Sequence, residues 1–231
     1  MIIAGLEKTT LLDYPDRIAA VVFTYGCNLR CPYCHNPELV IEEVNKDSIL
    51  TEEYVLNFLR KRVGKLDGVV ITGGEPLLHK DIPSFIKKIK DLGFLVKLDT
   101  NGSYPKKLKS LIKDGLLDYI DMDVKYRDEL YKQGINGGMK VPNISESIEI
   151  IMHSGIEYSF RTTFVKSIHT VESVDEICKM IEGANTYYIQ NFRTGKTIDP
   201  SLDSSFSFSR KELKDMKDRA SHYVKKVIIR Y

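Results

Sequence analysis

Three cysteines near the beginning of the chain form the pattern most able to do chemistry. Cys27, Cys31 and Cys34 stand in the order Cys-x3-Cys-x2-Cys. Thiolates are strong ligands of iron and zinc, and this spacing lets a single loop wrap around one metal centre. A disulfide framework in a chain of 231 residues would be spread more widely. The clustering therefore predicts metal ligation in a reducing compartment.

The number of thiols limits the kind of metal centre. A structural zinc ion needs four protein ligands, and His35 is the nearest residue that could join the three cysteines. The remaining cysteine, Cys178, lies in a segment with a helical pattern, where we expect a small buried apolar side chain. On a four-iron cluster, three cysteines would leave one iron without a protein ligand. That iron would offer a substrate or cofactor an open coordination position.

The elements that must position these residues alternate along the chain between apolar runs and amphipathic segments. Predicted strands cover 19–24, 68–72, 94–98, 119–124, 157–165, 186–190 and 224–229. Predicted helices cover 51–62, 81–92, 105–113, 144–153, 171–181 and 210–223. Strands separated by helices of roughly 10–15 residues imply parallel βαβ topology.

The number of units predicts the fold class. Eight β/α units would close a barrel, whereas the six or seven found here predict an α/β fold with an open, partial (β/α)6-type parallel barrel. We expect one domain over 1–231, with an N-terminal extension at 1–18, a core at 19–193 and a C-terminal helix and strand at 194–231.

Polar residues follow nearly every predicted strand, at the barrel end where such folds carry their chemistry. The set comprises Cys27, Gly73-Gly74-Glu75-Pro76, Asp99-Thr100-Asn101-Gly102, Asp121, Asp123, Lys125, Arg161 and Gln190-Asn191-Phe192-Arg193. The sequence therefore predicts one site at this end of the barrel.

Charge and hydropathy exclude other classes of partner. A net charge of +2, from 34 basic and 32 acidic residues, argues against a nucleic-acid or membrane partner. The first residues lack the pattern of a signal peptide, and no apolar run approaches the roughly 20 residues of a transmembrane helix. We expect a cytoplasmic location.

The order of two motifs resembles a known family. Cys-x3-Cys-x-aromatic-Cys directly after the first strand, with Gly-Gly-Glu-Pro after the second, is similar to the radical S-adenosylmethionine (SAM) superfamily. The resemblance implies that Cys27, Cys31 and Cys34 hold a [4Fe–4S] cluster whose free iron chelates the amino and carboxylate groups of SAM. Reductive cleavage of SAM would then give a 5′-deoxyadenosyl radical that abstracts a hydrogen atom.

The resemblance also implies a set of SAM contacts. Tyr33 would lie beside adenine, and the loop Gly73-Gly74-Glu75-Pro76 would touch the SAM amino group. The remaining contacts match positions in glycyl-radical-enzyme activases: Asp99, Thr100, Asn101, Asp123, Lys125 and Arg161. In this interpretation Lys125 neutralises the methionine carboxylate, and Asp99 and Asp123 together hold a small cation. No residue is assigned as a catalytic acid, base or nucleophile.

Two stretches narrow the resemblance within the superfamily. Cys34-His35-Asn36-Pro37 is similar to glycyl-radical-enzyme activases, and residues 6–17 are similar to activases of anaerobic ribonucleoside-triphosphate reductase. The resemblance implies a glycyl-radical enzyme as protein substrate and a flavodoxin or ferredoxin as electron donor. Arg193 stands where some activases carry a histidine, so that histidine's role is not carried over.

Two alternatives stay open from the sequence. One is a radical SAM enzyme acting on a small molecule, similar to 7-carboxy-7-deazaguanine synthase. The other is a metal-binding interaction module without catalysis. The chain has no second cluster of cysteines, which excludes radical SAM classes with auxiliary clusters.

Overall fold

The β-rich apolar runs form one sheet in the computed structural model, which describes residues 1–41, 49–126 and 144–231. The strands are β1 (Ile3–Thr10), β2 (Ala19–Thr24), β3 (Gly68–Gly73), β4 (Leu95–Thr100), β5 (Tyr119–Asp123), β6 (Glu157–Phe164), β7 (Tyr187–Asn191) and β8 (Val227–Arg230). The helices are α1 (Glu52–Arg60), α2 (Ile82–Asp91), α3 (Pro105–Lys113), α4 (Ile144–Met152), α5 (Ser173–Met180) and α6 (Arg210–Ala220).

The sheet runs in simple chain order from β1 to β8, and β2 to β8 are parallel. The two end strands, β1 and β8, do not pair with each other, so the sheet stays open. The prediction of an α/β fold with a partial parallel barrel is confirmed. In a parallel sheet all carboxyl ends lie at one edge, which collects the loops that follow the strands.

Residues 1–18 were predicted as an extension without a strand, but the structure shows a strand there. This segment contributes β1, which pairs antiparallel with β2 and shifts register twice along its length. The segment lacks a continuous apolar run, because a strand at the sheet edge is only partly buried and carries polar residues on its exposed side. Its sequence therefore reads as irregular even though its backbone is extended.

The two faces of the sheet have different surroundings. The face that we call outer packs against the helices, and its strand residues belong to the main apolar core. The opposite face, called inner, carries a small separate cluster around Tyr14, Val21 and Tyr119 near the amino-terminal ends of the strands. Alternating side chains of each strand therefore contribute to two different environments.

Tyr14 belongs to the loop between β1 and β2 and covers the inner face near the amino-terminal ends of the strands. Its ring lies 5.9 Å from the ring of Tyr119. A Cβ atom at Gly68 would lie 2.9 Å from the Tyr14 ring, so only glycine leaves the ring enough space. The stretch that resembles reductase activases thus has a packing role of its own.

Side chains cap the amino-terminal ends of two helices. The Thr51 hydroxyl accepts a hydrogen bond from the Tyr54 backbone N–H at 3.1 Å, which caps α1. At α6, Ser209 and Glu212 form a reciprocal capping box. In the described part of the chain, no helix is long and apolar enough to cross a membrane.

Candidate functional site

The loops at the carboxyl edge of the sheet surround one cavity of about 300 Å³. Most residues predicted to form the site line it: Cys27, Cys31, Tyr33, Cys34, Gly73, Gly74, Asp99, Thr100, Asn101, Asp123, Lys125 and Arg161. Glu75 and Pro76 are buried beside the cavity without lining it. The prediction that residues after different strands meet at one end of the barrel agrees with this geometry.

The cysteine loop is held by hydrogen bonds among its own residues. Arg30 donates from its guanidinium to the carbonyl oxygens of Cys27, at 2.7 Å, and Leu29, at 2.9 Å. The Leu29 N–H points at the Cys27 sulfur, 3.4 Å away, while the Leu29 side chain is buried in the core. A turn in which the Cys34 N–H donates to the Cys31 carbonyl brings the last two cysteines together. All three thiols therefore face the cavity from one short loop.

The Gly-Gly-Glu-Pro loop supports the cysteine loop through backbone contacts. The Gly74 N–H donates to Thr24, and the Glu75 N–H donates to the Gly26 carbonyl at 2.8 Å. A Cβ atom at Gly74 would lie 2.0 Å from the same Gly26 oxygen. Gly73 has a φ of 116°, a backbone conformation that side-chain-bearing residues rarely adopt. These glycines are required for loop-on-loop packing, and both also line the cavity.

The carboxylate of Glu75 ties two strand ends together below the cavity. It accepts hydrogen bonds from the Leu77 N–H at 3.0 Å, the Thr100 hydroxyl at 2.8 Å and the Asn101 N–H at 2.7 Å. Burial raises the pKa of Glu75 to about 7, against these hydrogen bonds, which lower it. The Glu75 side chain is fully buried and bonded to protein groups, so it positions the end of β4.

Asn101 connects this support to a thiol. Its backbone is held by Glu75, and its side-chain NH₂ lies 3.0 Å from the Asn28 side-chain oxygen and 3.8 Å from the Cys27 sulfur. The Asn101 side-chain oxygen accepts from the Ser103 N–H, which fixes the orientation of the amide. The β4 loop therefore reaches the cysteine loop through one amide group.

An ion-pair network crosses β4, β5 and β6 on the inner face. Arg161 binds Asp123 at 2.8 Å and Asp121 at 3.3 Å. Lys97 pairs with Asp99 on its own strand and lies 3.5 Å from Asp121. Each buried carboxylate thus faces at least one cation, as burial of charge requires.

Asp123 and Lys125 form the part of the network nearest the strand end. The Lys125 ammonium lies 3.1 Å from the Asp123 carboxylate. Burial alone would raise the pKa of Asp123, but Arg161 and then Lys125 outweigh burial and hold the pKa well below its usual range. Asp123 is therefore an anion that orients two cations toward the cavity.

The small cation expected between Asp99 and Asp123 stays a prediction, and the structure shows which protein cations these two carboxylates contact. Lys97 forms an ion pair with Asp99, and Arg161 and Lys125 both form ion pairs with Asp123. The sequence could not reveal these pairings, because Lys97 lies in the otherwise apolar predicted strand 94–98 and also contacts Asp121 on the neighbouring strand.

The donor set fits an iron–sulfur cluster. Across residues 1–41, 49–126 and 144–231, no three Cys, His, Asp or Glu side chains converge as ligands of a single metal ion. The three cysteines instead line one cavity, an arrangement suited to a cluster in which each thiolate binds a different iron. Burial raises the pKa of the Cys27 thiol to about 12 and also raises that of Cys31. Such thiols become ligands by releasing their protons to solvent as the thiolates bind positively charged iron.

The two other candidate ligands differ in position: His35 lines the cavity, whereas Cys178 does not. His35 stacks on Phe192, with ring centroids 5.6 Å apart and planes 15° from parallel. Cys178 is buried in the main core on α5, as expected, and burial raises the pKa of its thiol to about 12.

Three residues with no predicted role contribute to the same region. Gln190 and Thr163 line the cavity from β7 and β6. His169, in the loop after β6, is buried and hydrogen-bonded to the Lys125 backbone. Gln190 is among the polar strand-end residues that the sequence singles out, whereas a lone histidine in a loop carries no such signal.

Comparison with known proteins agrees with the geometry. The family model described as the Radical SAM superfamily matches residues 21–182. "Putative glycyl-radical enzyme activating enzyme MJ1227" of Methanocaldococcus jannaschii is 34% identical over 236 residues, covering 99% of this chain and 95% of that protein. "GTP 3',8-cyclase" of Helicobacter pylori is 31% identical over 175 residues, covering 74% of this chain and 52% of the cyclase.

Solved structures share the fold at low sequence identity. Streptococcus suis SuiB bound to S-adenosylmethionine matches with a TM-score of 0.65 and 14% identity, over 91% of this chain. The chain spans about half the length of the SuiB structures, 52% in that case.

Proposed function

The chain belongs to the radical SAM superfamily and is an enzyme of the glycyl-radical-activating type, and from this premise we propose how its residues serve that activity. The superfamily uses a [4Fe–4S] cluster and SAM. We propose Cys27, Cys31 and Cys34 as the cluster ligands. The observation that carries the proposal is the convergence of these thiols, and of the side chains that follow β3 to β6, on one cavity.

The bound cluster and SAM would supply the electron transfer and the 5′-deoxyadenosyl radical. The chain's own residues would hold and orient them. Arg30 and Leu29 fix the loop that carries the thiols, and Glu75 fixes the end of β4. Oriented ligands and a shielded cavity are what the protein contributes to such cofactors.

The proposed SAM contacts divide by charge. Lys125 would neutralise the methionine carboxylate, since its ammonium lines the cavity beside Asp123. Arg161 lines the same wall, while Asp99, Thr100 and Asn101 supply polar groups from the end of β4. Tyr33 would lie against adenine with an aromatic ring that already lines the cavity. Gly73 and Gly74 would lie near the SAM amino group, and Glu75 and Pro76 would support that loop.

Similarity along the whole chain supports an activase over a small-molecule enzyme. The activating-enzyme relative is matched over 95% of its own length. The cyclase relative is matched over 52% of its length, so about half of that enzyme has no counterpart in the alignment. A single sheet left open between β1 and β8 would also suit a peptide loop as substrate.

The finer assignments rest on the sequence stretches described above. We propose anaerobic ribonucleoside-triphosphate reductase as the partner, because residues 6–17 are similar to its activases. We further propose a flavodoxin or ferredoxin as electron donor, one domain over 1–231, and a cytoplasmic location, where thiols stay reduced.

Electron paramagnetic resonance would test the proposed activity. The reconstituted protein is mixed with SAM, dithionite and anaerobic ribonucleoside-triphosphate reductase of the same organism. We expect a glycyl radical doublet on the reductase and formation of 5′-deoxyadenosine, both absent with Cys31→Ala. A protein that makes 5′-deoxyadenosine but leaves no radical on any glycyl-radical enzyme would contradict the activase assignment and favour a small-molecule substrate.

A further inference from the structure

His169 is a buried imidazole with two hydrogen bonds and no assigned role. Only 4% of the residue is exposed. Its Nδ1 accepts the backbone N–H of Val165 at 3.2 Å, so Nε2 carries the proton. That Nε2–H lies 3.0 Å from the backbone carbonyl of Lys125 and donates to it. The ring thus bridges the loop after β6 to the residue proposed to face the SAM carboxylate.

Aromatic contacts fix the plane of this imidazole. It stacks on the Tyr126 ring at 5.3 Å, with the planes 9° apart, and lies 5.0 Å from the Phe164 ring. Tyr126 in turn meets Tyr33 of the cysteine loop edge-on at 6.5 Å. Burial lowers the pKa of His169, which agrees with a neutral ring that carries one proton. A ring held on both sides directs its N–H at one acceptor.

The hydrogen bond to Lys125 continues a series of contacts from β6 to the chain that leaves β5. The Val124 N–H donates to the Arg161 carbonyl at 2.9 Å, and the Thr162 hydroxyl donates to the Val124 carbonyl at 2.5 Å. His169 supplies the next contact, at Lys125 itself. Among the described residues, the pairing of β5 with β6 ends at Asp123. The backbone at Lys125 is therefore held by the His169 side chain and not by a neighbouring strand.

We infer that His169 is a positioning residue that holds the Lys125 backbone through Nε2–H, and thereby places the Lys125 ammonium for the carboxylate of SAM. The inference rests on the proposed function of Lys125. It makes His169 a support that acts through another residue, because its ring does not line the cavity.

Two substitutions separate the hydrogen bond from the packing. His169→Phe keeps a flat ring between Tyr126 and Phe164 but removes both the Nε2–H donor and the Nδ1 acceptor of the Val165 N–H. His169→Gln restores an N–H near the position of Nε2. We expect SAM to bind His169→Phe about fivefold to tenfold more weakly than wild type, and His169→Gln to recover most of that loss, with cluster absorbance unchanged in both. His153→Phe is the matched control, because His153 is exposed at the end of α4. This variant protein should bind SAM with the affinity of the wild type.

Nuclear magnetic resonance tests the geometry without any cofactor. In the unloaded wild-type protein, ¹⁵N shifts of His169 should show the proton on Nε2, and a proton on Nδ1 would overturn the inference. This measurement needs no variant, so it stands even if His169→Phe does not fold.

The affinity series distinguishes two failures. If Lys125→Met weakens SAM binding and His169→Phe does not, the role of His169 is wrong while that of Lys125 stands. If Lys125→Met binds SAM as tightly as wild type, the proposed contact between Lys125 and SAM is wrong, and the inference built on it is overturned as well.

Discussion

The two faces of the sheet show how one set of strands serves two purposes. The outer face is apolar and packs against the helices, with Val22, Ile71 and Leu98 fully buried. The inner face carries Lys97 and Asp121 at 2% exposure, paired with charges from neighbouring strands. Burial on the outer face stabilises the fold directly, whereas burial on the inner face requires partners.

This difference explains where the site can form. Apolar side chains of the outer face are interchangeable with others of similar volume, because packing depends on size and shape. Each inner-face charge depends on particular neighbours on β4, β5 and β6, which makes that face sensitive to single changes. A surface of oriented, desolvated charges is also the one that can bind a charged cofactor.

Removal of Arg161 should have the largest effect on stability. Arg161→Met leaves Asp121 and Asp123 buried with fewer cations, and we expect a loss of about 3–5 kcal/mol in the free energy of unfolding. Urea unfolding of the unloaded protein measures it. Arg161→Lys keeps the charge and should lose less. Equal losses in the two variants would mean that packing, rather than charge, explains the role of Arg161.

The ion pair between Arg161 and Asp123 predicts that the free energy of unfolding depends on pH. The pKa of Asp123 is depressed in the folded protein, so its contribution to stability is present above the unfolded pKa of about 4 and is lost as pH falls below it. Arg161→Met should flatten this acid-side loss, because it removes the main cause of the depression. Unfolding curves across the acid range would show the change in slope.

A core substitution on the outer face provides the contrast. Leu98→Ala should cost about 2–4 kcal/mol, because Leu98 is fully buried and its truncation leaves a cavity. The stability of Leu98→Ala should depend on pH in the same way as the stability of the wild type, because the substitution changes no charged group. A changed acid slope in Leu98→Ala would show that the two faces are energetically coupled.

Lys125→Met should act on binding more than on folding. The Lys125 side chain is 18% exposed, so stability should fall by only about 1 kcal/mol. The affinity for SAM should fall about tenfold or more through loss of a charge-assisted contact, with cluster absorbance retained. Isothermal titration of the reconstituted variant measures this, and unchanged affinity would remove Lys125 from the site.

The smallest expected effect lies in the helical layer. Glu212 closes the capping box of α6, and its hydrogen bonds to Ser209 lower its pKa to about 2. Glu212→Gln should cost about 0.5–1 kcal/mol at neutral pH, because it removes the charge from an exposed cap. Thermal unfolding at neutral and acid pH checks this: the difference between variant and wild type should shrink as pH falls from about 4.5 toward 2.

The outer face explains why the fold could be predicted. Its apolar residues mark β2 to β8 in the sequence, and the helix between each pair of parallel strands shows its own periodicity. β1 was missed because it pairs antiparallel at the edge and buries few residues. Register shifts along β1 further obscure the alternation that would have revealed it.

The inner face explains why the site was predicted only in part. Cysteine spacing and polar strand ends are local features, so Cys27, Asp99 and Lys125 were found from sequence. The pairing of Lys97 with Asp121 depends on strand neighbours. The contact from His169 to Lys125 joins residues 44 positions apart. Such relations are properties of the folded sheet.

Cluster assembly in matched cysteine variants tests the central claim most directly. Wild type, Cys31→Ala and Cys178→Ala are reconstituted anaerobically with iron and sulfide, reduced, and examined by electron paramagnetic resonance with and without SAM. We expect wild type and Cys178→Ala to form a brown cluster whose spectrum changes when SAM is added, and Cys31→Ala to form none. A SAM-responsive cluster in Cys31→Ala, or a colourless zinc protein in the wild type, would contradict the account.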